Sequence, residues 1–118
     1  MIKDFKGLIS ELEDMFPVFA TDIRKDEVMA NESFFVFDDD GGITRSVSST
    51  NEYRQEFYLS FVTRAKEKID KFKLIELFDR HKLFFISCNT QVGKIESLDV
   101  EISMTTFTFY HRQMMCRG

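Results

Sequence analysis

The stretch Tyr53 to Thr63 constrains the fold more than any other part of the chain. Tyr53, Phe57, Leu59 and Phe61 fall on one side of an extended backbone, with Arg54, Glu56, Ser60 and then Arg64 largely on the other. Alternation at period two describes a strand with one buried and one wet face, the signature of an antiparallel sheet covered on a single side. Gln55 interrupts the apolar face, and Tyr58 and Val62 interrupt the polar one. A sheet of this kind must hide its apolar face under something, and the chain supplies two helical patterns.

Phe5, Leu8, Ile9, Leu12, Met15 and Phe16 recur at helical spacing. Pro17 ends that run by pushing the preceding residue out of the α region. The second pattern covers Lys66 to His81, with a stripe of Ile69, Phe72, Ile75 and Phe78 widened by Leu74 and Leu77. Glu67 stands four residues before Lys71, the favourable order for a helical ion pair. Strands are expected over Val18 to Ile23 and Phe34 to Phe37, with a polar connection over Arg24 to Ser33. Asp38-Asp39-Asp40-Gly41-Gly42 reads as a hairpin turn. Ile43, Arg45 and Val47 then begin a further strand, and Ser48 to Asn51 bends or frays.

Two long strands close the chain, Leu83 to Thr90 and Ile95 to His111, with Gln91-Val92-Gly93-Lys94 as the turn between them. Leu98, Val100, Ile102 and Met104 share a face, but Phe107 and Phe109 have the opposite parity, so a bulge or a change of packing partner is expected near Thr105. Residues 112–118 show no pattern. The expected architecture is one α+β domain spanning 1–118, with an ordered core over 1–111. Its sheet is mainly antiparallel, with the two helices packed on one face. The expected core is Phe57, Leu59, Phe61, Phe72, Ile75, Phe78, Val100 and Ile102.

A single domain suits 118 residues. Fourteen Phe and three Tyr without any Trp point to a core built from Phe, large in area and lacking a polar handle. The net charge of −4 argues against a general nucleic-acid binder. Residues 1–60 hold six Lys/Arg against thirteen Asp/Glu (net −7), and residues 61–118 hold ten against seven (net +3). A sign difference of this kind is either a trivial fluctuation of composition or a means by which unlike faces of identical subunits meet. Two cysteines, Cys88 and Cys116, are too few for a disulfide framework, and the opening Met1 to Lys6 does not read as a secretory leader, so free thiols in a reducing cytosol are expected. No apolar run approaches membrane-spanning length.

No catalytic constellation emerges. Asp38, Asp39 and Asp40 lack the alternate spacing and closing Glu of a calcium loop. His81, Cys88, His111 and Cys116 lack the paired spacing of a zinc site, and Cys88 reads as a small buried hydrophobe. A Cys88–His81 nucleophile pair has no visible orienting group. No phosphate-cradling loop or nucleophile elbow is present. Neither an enzyme, nor a metal, nor a cofactor is expected. The three consecutive Asp residues repel one another unless solvent or a cation offsets them. Arg64, Lys66, Lys68 and Lys71 supply such cations, so Asp38, Asp39, Asp40 and Arg45 are read as one side of a contact between copies and the basic cluster as the other.

The layout resembles the small tail-terminator and minor capsid (neck) proteins of long-tailed bacteriophages and prophages. The likeness covers about residues 1–111. It rests on the helix ending at Phe16-Pro17, the Phe34-Phe35-Val36-Phe37 strand, the acidic Gly-containing segment, the alternating strand, the second helix and the terminal Thr106-Phe107-Thr108-Phe109-Tyr110 strand. It implies a ring of six copies that caps the tail tube and meets the head connector, in the virion neck after assembly in the host cytoplasm. The resemblance carries no individual functional residue. The competing reading is a stand-alone α+β binding or immunity-type module, or another neck component.

Overall fold

A computed structural model describes residues 2–21, 30–45, 52–95 and 100–114; the readings placed on Val47, Ser48 to Asn51, Leu98, Cys116 and most of the Arg24 to Ser33 connection lie outside the described residues. The alternating stretch forms β4 (Glu52–Thr63), whose Phe57, Leu59, Phe61 and Thr63 are buried as the period-two pattern requires. β6 (Val100–Met114) pairs antiparallel with its entire length, from Glu52↔Met114 to Thr63↔Ser103. The other edge of β4 takes β2 (Ser33–Asp38) and β3 (Ile43–Arg45), both antiparallel. β5 (Phe84–Ile95) lies outside β6, and β1 (Val18–Ala20) lies outside β2, giving the order β1-β2-β4-β6-β5 with β3 added on β4.

The domain is α+β, and its sheet is mixed. β1 runs parallel to β2, while the other pairings are antiparallel. Twelve residues, Thr21 to Glu32, separate β1 from β2. That is about the shortest connection that returns a chain to a parallel neighbour, and a hairpin turn cannot do it.

Both helices lie on the Phe57 side of the sheet. α1 (Phe5–Glu13) brings Phe5 to 6.0 Å from the Phe57 ring, and α2 (Lys71–Arg80) brings Phe78 to 5.9 Å. Leu8, Leu12, Leu74, Leu77 and Phe78 from the helices join Phe35, Phe57, Leu59, Phe61, Leu83, Phe107 and Phe109 in one core. Aromatic contacts run through it, with the Phe78 ring stacked on Phe109 at 4.2 Å. The Phe-built core is therefore what the composition implies.

Several expectations need correction. Phe72 is 79% exposed and Ile75 only partly buried, while Leu74, Leu77 and Phe78 form the buried face of α2. The helix starts at Asp70, whose carboxylate caps the Lys73 N–H at 3.2 Å, so Lys66 to Ile69 lie outside it and the Glu67–Lys71 helical pair does not exist. At about 100° per residue, Phe72 then stands opposite the centre of the buried face.

Gln91 to Lys94 is strand and not turn, because β5 runs on to Ile95. β6 keeps its register past Thr105 without a bulge; the one shift among the described strands lies in β5, between Phe85 and Ser87. The parity change near Thr105 is a change of packing partner. Phe107 and Phe109 face the helices, whereas Ile102 and Met104, of opposite parity, face away and remain partly exposed or exposed, so Val100 and Ile102 leave the expected core. β6 also continues to Met114, inside the stretch without a sequence pattern.

A further correction concerns the acidic segment. Asp38 pairs with Tyr58, and Ile43 pairs with Gln55 on the same edge of β4. The chain does not reverse at Asp38 to Gly42. It bulges outward with four residues opposite Glu56 and Phe57, then rejoins the edge in its original direction. No glycine has positive φ, so the primed hairpin turn predicted for Gly-Gly is absent among the described residues.

Candidate subunit-contact site

The bulge is a small, tightly tied projection. The Asp40 N–H donates to Asp38 Oδ1 at 2.9 Å, turning the chain away from β2. The Glu56 N–H donates to the Gly42 carbonyl at 2.9 Å, bringing it back. Gly41 passes so close to β4 that a Cβ there would sit 2.3 Å from the Glu56 carbonyl oxygen. The glycine is required for this approach. Asp39 and Asp40 project into solvent, and Asp38 is half-buried.

Beside the bulge, the Tyr58 hydroxyl donates to the Glu56 carboxylate. That bond is the main reason the tyrosine's pKa is raised above its ordinary value; burial and the negative charge of Glu56 add to it. Alternation places the two side chains at i and i+2 on one face, a relation visible in the sequence but without any signal that the carboxylate would serve a hydroxyl rather than a cation.

Arg45 is exposed on β3, its Nη2 3.4 Å from the Tyr53 hydroxyl and its guanidinium 5.7 Å from the Tyr53 ring centre. The remaining predicted contact residues follow the far end of β4. Arg64 is half-buried and donates from Nη2 to the Asn31 carbonyl at 2.9 Å. It braces the entry to β2 rather than standing free as a surface cation. Lys66, Lys68 and Lys71 are exposed, and Lys66 takes a left-handed backbone at φ 58°. Lys68 and Lys71 border a cleft of about 370 Å³ beneath the start of α2, with Phe61, Thr63, Thr90 and Thr105 among its walls.

Thus the structure gathers the acidic residues at one place on β4 and the basic ones at another. Tyr58, level with Asp38, is five residues from Thr63, which puts about 17 Å of strand between them. Within one chain the two patches do not neutralise each other.

The threonine hydroxyls of the cleft have partners: Thr63 with Ser33 at 2.7 Å, and Thr90 with Thr105 at 3.0 Å. Both nitrogens of His81 are engaged, Nδ1 with the Lys3 carbonyl at 2.7 Å and Nε2 facing Glu11 at 3.5 Å, so neither addresses Cys88. Cys88 packs partly buried against the core, and burial raises its thiol pKa. Among the described residues no group of three or more His, Cys, Asp or Glu side chains is placed to hold a metal, and no helix is long and apolar enough to cross a membrane.

His111, a metal-ligand candidate by residue type alone, is a buried histidine, 3% exposed and within 3.3 Å of Gln113. Burial lowers its pKa below the ordinary 6.5. The folded state therefore holds His111 neutral while the unfolded chain takes up a proton, so stability present above about pH 6.5 is lost as pH falls through the depressed value. Urea midpoints measured between pH 7 and 5 are expected to fall less steeply for His111→Gln than for the parent. Equal slopes would show that His111 is not the group responsible.

The chain is an α+β domain in which the acidic bulge and the Lys66, Lys68 and Lys71 cluster lie apart. Comparison with known proteins finds no matching family model and no matching curated protein.

Proposed function

We propose that this is a non-enzymatic assembly protein that joins copies of itself into a ring, resembling a phage tail terminator. It would act in the virion neck, reached from the host cytoplasm during assembly. Six copies would cap the tail tube and present a surface to the head connector, with no cofactor, no specific nucleic acid and no membrane involved. The observation carrying the reading is the separation of the acidic bulge from the Lys66–Lys68–Lys71 patch. Two unlike patches on one subunit, too far apart to pair internally, suit a heterologous contact in which each copy's acidic side meets the next copy's basic side. Arg45 stands beside the acidic patch, and the half-buried Arg64 stands beside the basic one. The same arrangement also suits another head–tail joining component. A stand-alone binding module would use the patches on a different partner.

Exposed ion pairs contribute about 0–1 kcal/mol each, so a single substitution does little. Replacing Asp38, Asp39 and Asp40 together by Asn is expected to weaken assembly at low salt and to matter less at high salt, where the parent's attraction is itself screened. Sedimentation velocity across a salt series reads this directly, with circular dichroism as the control for folding. Identical assembly of parent and triple variant at every salt concentration would reduce the bulge to a solvated loop.

A further inference from the structure

β5 is the edge of the sheet farthest from the acidic bulge, and its outward backbone has no strand partner among the described residues. It is twelve residues long, and Phe84 to Gly93 contain no charge and no proline. Natural edges are usually shortened, charged or broken to prevent pairing with another chain. Here the bulge between Phe85 and Ser87 is the one such device in the strand's first ten residues. Ile86 is 49% and Val92 63% exposed, so the strand offers apolar side chains beside its free backbone.

We infer that β5 is a docking edge for a second copy of the same chain, paired antiparallel about a two-fold axis perpendicular to the sheet. Among the described residues the opposite edge is broken into β1 and β3, three residues each, so the long edge that matches β5 is another β5. A two-fold of this kind keeps the helix layers of both copies on one side. Thr90, Val92 and Lys94 share that side, because they pair with Thr105, Ser103 and Glu101.

Charge and shape complement each other in this arrangement. At the Phe85 end, Ile75, Glu76, Asp79, Arg80 and Phe85 line a shallow depression with two carboxylates and one guanidinium. At the other end of the strand stands Lys94, the sole charge in β5. Antiparallel pairing centred near Asn89 lays Val92 of each copy against Phe85 and Ile86 of the other. It also brings Lys94 beside Glu76 and Asp79. Within one chain Lys94 is nine residues from Phe85, about 30 Å along the strand, so this pairing arises only between copies. The contact is isologous and closes after two copies, unlike the heterologous ring contact, and it stands whether or not the ring forms.

The test uses sedimentation equilibrium in the Asp38→Asn/Asp39→Asn/Asp40→Asn background, which removes the proposed ring contact. The expected species is a dimer. Val92→Glu and Lys94→Glu, both at exposed sites, are each expected to weaken it about tenfold or more. Mixing Lys94→Glu with a Glu76→Lys/Asp79→Lys variant should make both charge pairs of the mixed dimer complementary, one native and one reversed, while each variant alone carries two like-charge contacts, and so should yield mixed dimers preferentially. A monomer at about 100 µM, a dimer indifferent to Val92→Glu and Lys94→Glu, or no preference for mixed dimers would each overturn the inference. The ring reading is judged separately, by whether the parent forms larger species than the triple variant.

Discussion

Phe78→Ala is expected to lower the unfolding free energy by about 3–5 kcal/mol, while Phe72→Ala changes it by less than about 1 kcal/mol. The two residues are both Phe and share one helix, so chemistry and propensity are matched. Phe78 is fully buried, stacked on Phe109 at 4.2 Å and touching Phe57 at 5.9 Å. Its ring joins α2 to β4 and β6 together, and truncation opens a cavity among Phe side chains that close only partially around it. Phe72 is 79% exposed, and Ala has the better helix propensity, so losing the ring removes little burial. Urea titration of both variants distinguishes the two faces of α2. A loss at Phe72 comparable to that at Phe78 would mean that the helix is rotated by half a turn from the position described.

That pair of residues also shows where the sequence is readable and where it is ambiguous. β4 was legible because one face of a strand is buried and the other wet, so the residues from Arg54 to Phe61, Gln55 and Tyr58 excepted, report their own side. α2 was not, because Ile69, Phe72, Leu74, Ile75, Leu77 and Phe78 spread over more than one helical face, and two stripes fit the same window. Asp70 decides between them: as N-cap it fixes the first turn and therefore the phase. That signal is present in the sequence at Asp70, four residues after the expected start at Lys66.

The acidic segment failed for a different reason. Asp-Asp-Asp-Gly-Gly says that the chain leaves its strand, and nothing local says whether it comes back antiparallel to itself or farther along the same neighbour. That choice is made by β4, which is long enough to pair with β2 through Tyr58 to Thr63 and still accept β3 at Tyr53 to Gln55. The extension of β5 through Gln91 to Lys94 is likewise imposed by pairing with β6. For the candidate site, the acidic and basic segments were visible as composition. Their separation along β4 and the free edge of β5 were not, because both depend on strand order.

Gly41→Ala is the second large effect expected, a loss of about 1–3 kcal/mol from forced overpacking, against little or no loss for Gly42→Ala. Neither glycine has positive φ, so backbone preference does not separate them. Space does. A Cβ on Gly41 would meet the Glu56 carbonyl oxygen at 2.3 Å and its carbon at 2.7 Å, whereas a Cβ on Gly42 meets nothing within 4 Å. The obstructing atoms are backbone in β4, held from the other side by the pairing of Glu56 with Tyr110, so they cannot retreat as a flexible side chain would. The bulge must lift instead, stretching the bond from the Glu56 N–H to the Gly42 carbonyl, now 2.9 Å, and uncoupling β3 from the sheet edge. At Gly42 the added methyl costs no contact and removes freedom from the unfolded chain, which favours the folded state by up to about 1 kcal/mol. The comparison extends to assembly, because lifting the bulge moves Asp38 to Asp40 without altering a single charge. Low-salt assembly should therefore weaken in Gly41→Ala and persist in Gly42→Ala. Equal stability and equal assembly for the two variants would mean that the close approach of the bulge to β4 does not exist in solution.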